Sequence, residues 1–212
     1  MKTNIKTIFF DNILCDNLSE LFDITNGSVV SVVGCGGKTS LINQLARCNI
    51  DKKVLISPTT KIFPMTSPDV TQCYTVDECI KHEPHRGIQC LGQINETTGK
   101  LEALPEHILA KLTLKYDIVL LEADGSRSLP LKGWIDNEPV VPKFSTHTVG
   151  VASLDSLGCH ATEENVHNLR EFLLLTGLNE GDIITHDAVN AMIYSPVGMF
   201  KNAVGSKYVV IR

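Results

Sequence analysis

No two of the seven cysteines in this sequence form a Cys-x-x-Cys pair, and their number is odd. That pattern argues against a disulfide framework or a zinc ribbon. It predicts mostly buried free thiols in a reducing compartment, at Cys15, Cys35, Cys48, Cys73, Cys79, Cys90 and Cys159. Also missing is any apolar run of about 18 residues, the length a membrane helix needs. The N-terminus, MKTNIKTIFFDNILCDN, has only a short apolar patch broken by Asp11 and Asn12, with no signal-peptide core and no Ala-x-Ala site. A soluble cytoplasmic protein with no membrane partner is expected. There is no excess of positive charge either. Nineteen Lys and Arg face twenty-four Asp and Glu, a net charge of −5. This argues against a general nucleic-acid binder and leaves room for a local basic pocket. Without internal repeats or low-complexity linkers, the 212 residues are expected to form one α/β domain over 1–212.

The most informative stretch present is Val29–Ser40, VVSVVGCGGKTS. Val29, Val30, Val32 and Val33 predict a buried strand, the glycines a tight turn, and Leu41–Cys48 an amphipathic helix opening at Lys38-Thr39-Ser40. That is the order of a phosphate-binding loop. A backbone without Cβ atoms can close around a phosphate, and the first N–H groups of a helix lack intrahelical partners at the positive end of its dipole. Gly34, Cys35, Gly36, Gly37, Lys38, Thr39 and Ser40 are therefore expected to contact ATP or GTP. Lys38 would reach the β- and γ-phosphates, and Thr39 would place its hydroxyl on Mg²⁺. The spacing departs from G-x-x-x-x-G-K-[ST], because Val32 stands where the first Gly belongs. The shortened form, G-C-G-G-K-T, is close to the G-T-x-G-K-T of the Mur ligases. Cys35 reads either as a small filler or as a redox- or chalcogen-handling thiol.

Two further strand ends carry chemistry. Lys53–Ser57 runs into Pro58-Thr59-Thr60-Lys61. Ligands gather at the carboxyl ends of parallel strands, so Thr59, Thr60 and Lys61 either meet Mg²⁺ or the γ-phosphate or form a polar capped loop. Tyr116–Leu121 runs into Glu122-Ala123-Asp124-Gly125-Ser126-Arg127, the form of a Walker B strand. A carboxylate emerging there can hold Mg²⁺. Alternation puts Glu122 and Asp124 on one side of an extended chain, so one could ligate metal while the other orients a nucleophile. The expected catalytic residues are Lys38, Glu122 and Asp124, and the expected metal ligands Thr39, Glu122 and Asp124. Both carboxylates are expected to serve the metal and catalysis rather than stability. The irregular segment Ser128–Pro142, with Lys132, Trp134 and Glu138, reads as a substrate-pocket lining or as a crossover.

Elsewhere the pattern predicts helices over Ile13–Phe22, Val76–His82, Pro105–Leu112, Glu163–Leu175 and Thr185–Ile193, the last capped by Thr185. Strands are expected over Val70–Tyr74, Thr148–Ser153 and Tyr208–Ile211, and Lys81–Arg86 (KHEPHR) as a solvated loop broken by Pro84. Gly87–Leu104 alternates around Thr98-Gly99 and reads as a β-hairpin inserted off the main sheet. The expected fold is a three-layer α/β/α, P-loop NTPase-like domain with a mostly parallel sheet. Ending on a core strand hints at truncation.

In order, GCGGKTS, SPTTK, EADGSR with LPLK, EPVVP, TVGVASLDSLG, a His-bearing helix and PVGMFK form a specific set. Over about Val29 to Arg212 the sequence resembles the YqeC family, whose members usually read G-A-G-G-K-T-[TS], T-T-T-K and E-A-D-G. Cys35 replaces the commoner Ala, and the family's frequent His-Arg pair reads His167-Asn168. The resemblance implies a P-loop accessory protein in the maturation of a selenium- or molybdenum-containing hydroxylase or its cofactor. Three functions follow as expectations. The first is a Mg²⁺-dependent NTPase driving that maturation. The second is a Mur-like ATP-dependent ligase or kinase acting on a small substrate. The third is a non-catalytic chaperone for the target hydroxylase.

Overall fold

A computed structural model of the chain describes residues 5–9, 18–65 and 67–212. Its centre is an eight-stranded sheet in which every neighbouring pair is parallel. The strands are β1 (Ile5–Phe9), β2 (Ser28–Gly34), β3 (Lys53–Pro58), β5 (Val70–Cys73), β6 (Gly87–Leu91), β9 (Ile118–Glu122), β11 (His147–Ala152) and β13 (Ser206–Ile211). They lie in the order β1-β13-β11-β2-β9-β3-β6-β5. Two smaller sheets flank it: β4 (Lys61–Ile62), β8 (Lys100–Glu102) and β7 (Gln93–Asn95), joined antiparallel, and β10 (Leu131–Lys132) beside β12 (Val166–His167).

Strands buried on both faces need apolar side chains on both faces, and successive side chains point opposite ways. Val30 and Val32 of β2, Val54 and Ile56 of β3, and Ile118 and Leu120 of β9 share one apolar cluster. Leu18 of α1 (Leu18–Leu21) and Leu41, Ile42 and Leu45 of α2 (Lys38–Arg47) pack into it. The alternate residues face the other side. Val29, Leu55 and Val119 meet α3 (Val76–Lys81) and α4 (Glu106–Thr113) there. Val33, Ala152 and Val209 meet α5 (Leu169–Thr176) and α6 (His186–Tyr194). Helices thus cover both faces of the sheet, in three layers.

Three sequence expectations change. Gly87–Leu91 belongs to the central sheet between β3 and β5, so the hairpin shrinks to 93–102, with β4 on its edge. Gln89 is buried there, and its side-chain amide is satisfied by the carbonyls of His85 and Gly87. The helix expected at 163 begins only at Leu169, because Val166–His167 pairs with β10 and Asn168 is left-handed. Of the helix expected over 13–22, residues 13–17 and Cys15 lie outside the described residues, and Leu18–Leu21 is helical. Ile5–Phe9, read as a broken apolar patch, is an outer strand paired to β13. Thr185 does cap α6, accepting from the Ala188 N–H. No helix among the described residues is long and apolar enough to cross a membrane.

From β2 the chain passes through α2 to β3, leaving a gap that β9 later fills; after β9 it moves to β11 on the far side of β2. The carboxyl ends of β2, β9, β3, β11 and β13 therefore line up at a topological switch point, where open α/β sheets bind ligands.

Candidate functional site

The loop leaving β2 is shaped by its neighbours. Gly34 has φ 92°, and a Cβ there would lie 2.3 Å from the carbonyl oxygen of Val151 on β11. Gly36 has φ 75°, and a Cβ would lie 2.6 Å from the Ser153 Cβ. Both positions demand a left-handed backbone and close approach, which only glycine tolerates well. Two loop N–H groups are already used: Gly34 donates to Asp124 Oδ2 (3.0 Å) and Cys35 to the Val151 carbonyl (3.0 Å). No side chain caps the helix that follows. The N–H groups of its first turn have no intrahelical acceptor and point outward from the positive end of its dipole.

Lys38, on that first turn, is only 5% exposed. Its Nζ donates to the Gly34 carbonyl (2.9 Å) and the Ser126 hydroxyl (3.3 Å), and lies 4.0 Å from Glu122 Oε1. Thr39 donates its hydroxyl to Glu122 Oε2 at 3.0 Å. Burial pushes the Glu122 carboxyl above its usual range, while Lys38 and the Thr39 hydrogen bond oppose the shift. These groups line a cleft of about 690 Å³ with Gly36, Gly37, Ser40, Thr60 and Lys61. Thr60 Oγ1 is buried there without a hydrogen-bond partner. Lys61 reaches out to Glu102 at 2.8 Å.

A glycine turn that a Cβ would fill, an orphaned threonine hydroxyl and a hydroxyl–carboxylate pair fit a Mg²⁺–triphosphate group. Mg²⁺ takes few protein ligands and keeps several waters. Among the described residues no group of three or more His, Cys, Asp or Glu is placed to hold a metal. The histidines of KHEPHR instead pack edge-to-face, with His85 bonded to Thr71 and to the Arg86 carbonyl.

Not every expected residue reaches the cleft. Gly34, Cys35, Thr59 and Asp124 lie behind its lining. Thr59 ties strands together, its N–H donating to the Glu122 carbonyl (3.0 Å) and its hydroxyl to that of Val140 (2.7 Å). Cys35 is fully buried, and burial pushes its thiol up to about 12, far from thiolate reactivity at neutral pH. Asp124 is fully buried with both oxygens engaged: Oδ1 pairs with Lys132, and Oδ2 accepts from Gly34 and from Trp134 Nε1 (2.7 Å). Lys132, also fully buried, further pairs with Glu138 Oε2 at 2.7 Å. Of Ser128–Pro142, Ser128 and Glu138 line the cleft, whereas Lys132 and Trp134 stand behind it as supports.

Sequence reasoning missed several lining residues. Lys100 comes from the hairpin and His167 from β12, while Arg127, which ends the EADGSR run, lines the cleft without having been given a role. Arg212 follows β13, and its guanidinium lies 2.8 Å from where a Gly37 Cβ would sit. No site motif marks Lys100 or Arg212, and only the fold brings these side chains together. Five cationic side chains, of Lys38, Lys61, Lys100, Arg127 and Arg212, thus meet in one cleft of an acidic chain.

Comparison with known proteins adds two findings. A family model described as "YqeC protein" matches residues 30–170. The chain is 34% identical over 185 residues to a protein of Escherichia coli (strain K12) described as "Uncharacterized protein YqeC", covering 82% of this chain and 71% of that one. No solved structure matches.

Proposed function

The chain belongs to the YqeC family, and from that premise we propose that it is a Mg²⁺-dependent nucleoside triphosphate-binding protein with a P-loop, acting as an NTPase. The observation that carries this reading is Lys38. It is a buried cation whose nearest partners are two neutral oxygens, with a carboxylate no closer than 4.0 Å. A buried charge without a close counter-ion is costly. Beside an uncapped helix N-terminus, that cost is relieved by an anion such as a nucleotide phosphate. Gly36, Gly37, Lys38, Thr39 and Ser40 would hold the β- and γ-phosphates, with Thr39 and Glu122 holding Mg²⁺. The metal, when bound, supplies charge neutralisation on the phosphates. Asp124 acts indirectly, fixing the loop through Gly34. That the nucleotide serves the maturation of a selenium- or molybdenum-containing hydroxylase rests on the family resemblance alone.

The test is calorimetry with ATP and with GTP, each with Mg²⁺, on the parent and on Lys38→Ala. Charge-assisted contacts contribute about 1.5–3 kcal/mol, so affinity in the variant falls by at least about tenfold. Equal affinity in the two proteins would mean that the loop is structural. A ligase or kinase acting on a small substrate is the second reading, favoured by the continuation of the cleft past the loop to Glu138 and His167. Phosphate release without a second substrate supports the NTPase; nucleotide binding without any turnover supports a chaperone.

A further inference from the structure

Among the polar groups of the cleft that the nucleotide reading leaves unassigned are Arg127 and His167. The Arg127 side chain is exposed to the cleft and makes no hydrogen bond or ion pair among the described residues, and the half-buried His167 ring makes no hydrogen bond among them. Both line the cleft. They arrive from different elements: Arg127 from the turn after Asp124, His167 from β12 beside Lys132. Arg127 and the following Ser128 are left-handed, with φ 49° and 63°. Consecutive strained non-glycine residues are held only where the surroundings over-determine them. Here the Leu129 N–H closes the turn onto the Ser126 carbonyl at 2.8 Å.

The surroundings set the charge of this wall. Of the two cleft carboxylates, Glu122 faces Thr39 and Lys38, and Glu138 is matched by buried Lys132 at 2.7 Å and accepts from Asn168 Nδ2 at 3.3 Å. The Arg127 guanidinium is left without a counter-ion. Burial, then Lys132 and Arg127, hold His167 below its usual pKa. Its ring is neutral near pH 7 and keeps one nitrogen as a free acceptor.

We propose that Arg127 and His167 form a subsite for a second, small substrate carrying an oxyanion group, carboxylate or phosphate, beside a hydroxyl. The guanidinium holds the oxyanion with paired N–H donors, a geometry lysine cannot reproduce. The neutral imidazole accepts the hydroxyl's hydrogen bond. The inference rests on the nucleotide reading above and deepens it, since it gives the cleft two occupants.

The experiment uses the full chain saturated with Mg²⁺ and a non-hydrolysable nucleoside triphosphate analogue, checked by calorimetry before any second ligand is added. Glycerate and glycerol 3-phosphate are then titrated separately, which distinguishes the two oxyanion sources, with propionate as the control lacking hydroxyls. At least one hydroxylated anion binds saturably. Arg127→Gln weakens it by about tenfold or more, and Arg127→Lys by less. His167→Phe abolishes the preference for the hydroxylated anion over propionate. The proposal is overturned if neither hydroxylated anion binds the loaded parent, or if Arg127→Gln binds as tightly as the parent. If Arg127→Gln fails to fold, Arg127→Lys and His167→Phe carry the decision. Failure of the analogue to bind the parent overturns the nucleotide reading itself and is seen first.

Discussion

Glu122 and Asp124 are separated by one alanine and live in different surroundings. Glu122 lines the cleft beside the Thr39 hydroxyl, with Lys38 at 4.0 Å. Asp124 is sealed in and holds a loop N–H, an indole N–H and an ammonium. The two carboxylates therefore differ in place, Glu122 in the cleft and Asp124 in the scaffold, and under the nucleotide reading proposed above only Glu122 serves the metal, where both were expected to. Glu122→Gln keeps shape and packing, so its melting temperature without nucleotide stays close to the parent's. It loses the extra stabilisation that Mg²⁺-nucleotide gives the parent. Asp124→Asn removes one of the two carboxylates that compensate the buried Lys132 ammonium. Breaking buried ion pairs of this kind costs about 3–5 kcal/mol. With Glu138 still in place, urea denaturation of Asp124→Asn is expected at the lower end, about 3 kcal/mol below the parent. Equal stability of the two amide variants would refute this division of roles.

At the scale of elements, β2 and β9 were readable because a parallel strand covered on both faces must be apolar on both faces. The glycine loop was readable because Gly34 and Gly36 meet β11 and the residues after it at distances no Cβ allows. Gly36→Ala tests that. Its φ of 75° and the 2.6 Å approach to Ser153 are expected to cost about 1–3 kcal/mol by denaturant unfolding and to weaken nucleotide binding with it. A variant as stable as the parent would show that the loop can open without loss. β6 was hidden because GIQCL continues without a break into the true hairpin, and its buried Gln89 looks like an exposed residue of an alternating strand. The start of α5 was misread because Val166, Leu169, Phe172 and Leu173 have helical spacing. Only Asn168, in a left-handed conformation that Asn tolerates, marks the break. Arg127 ends the EADGSR run, but only the fold sets it in one cleft with His167 and Arg212.

For the whole molecule, two histidines are held below their usual pKa, His147 buried in the central sheet and His167 half-buried in the small β10–β12 sheet. His147 opens β11, next to β2 and β13. It is 7% exposed, contacts the Thr146 hydroxyl at 2.7 Å and stacks on Tyr208. Burial lowers its pKa below 6.5, although Asp23 pulls the other way. His167 is lowered too, by burial and then by Lys132 and Arg127. A group whose folded pKa lies below its unfolded value binds protons first in the unfolded chain. The stability it contributes is complete above the unfolded pKa near 6.5 and drains as pH falls toward the folded pKa. Unfolding free energy is therefore expected to decline between about pH 7 and about pH 5.5, before most carboxylates begin to titrate. Denaturant curves across this range on the parent, His147→Asn and His167→Asn check it. Each variant removes one titrating group, so each has a shallower decline than the parent, and the double variant the shallowest. Burial raises the Glu122 carboxyl pKa, which opposes this decline, so the decision rests on the variants: if they decline as steeply as the parent, the histidines bind protons equally in both states.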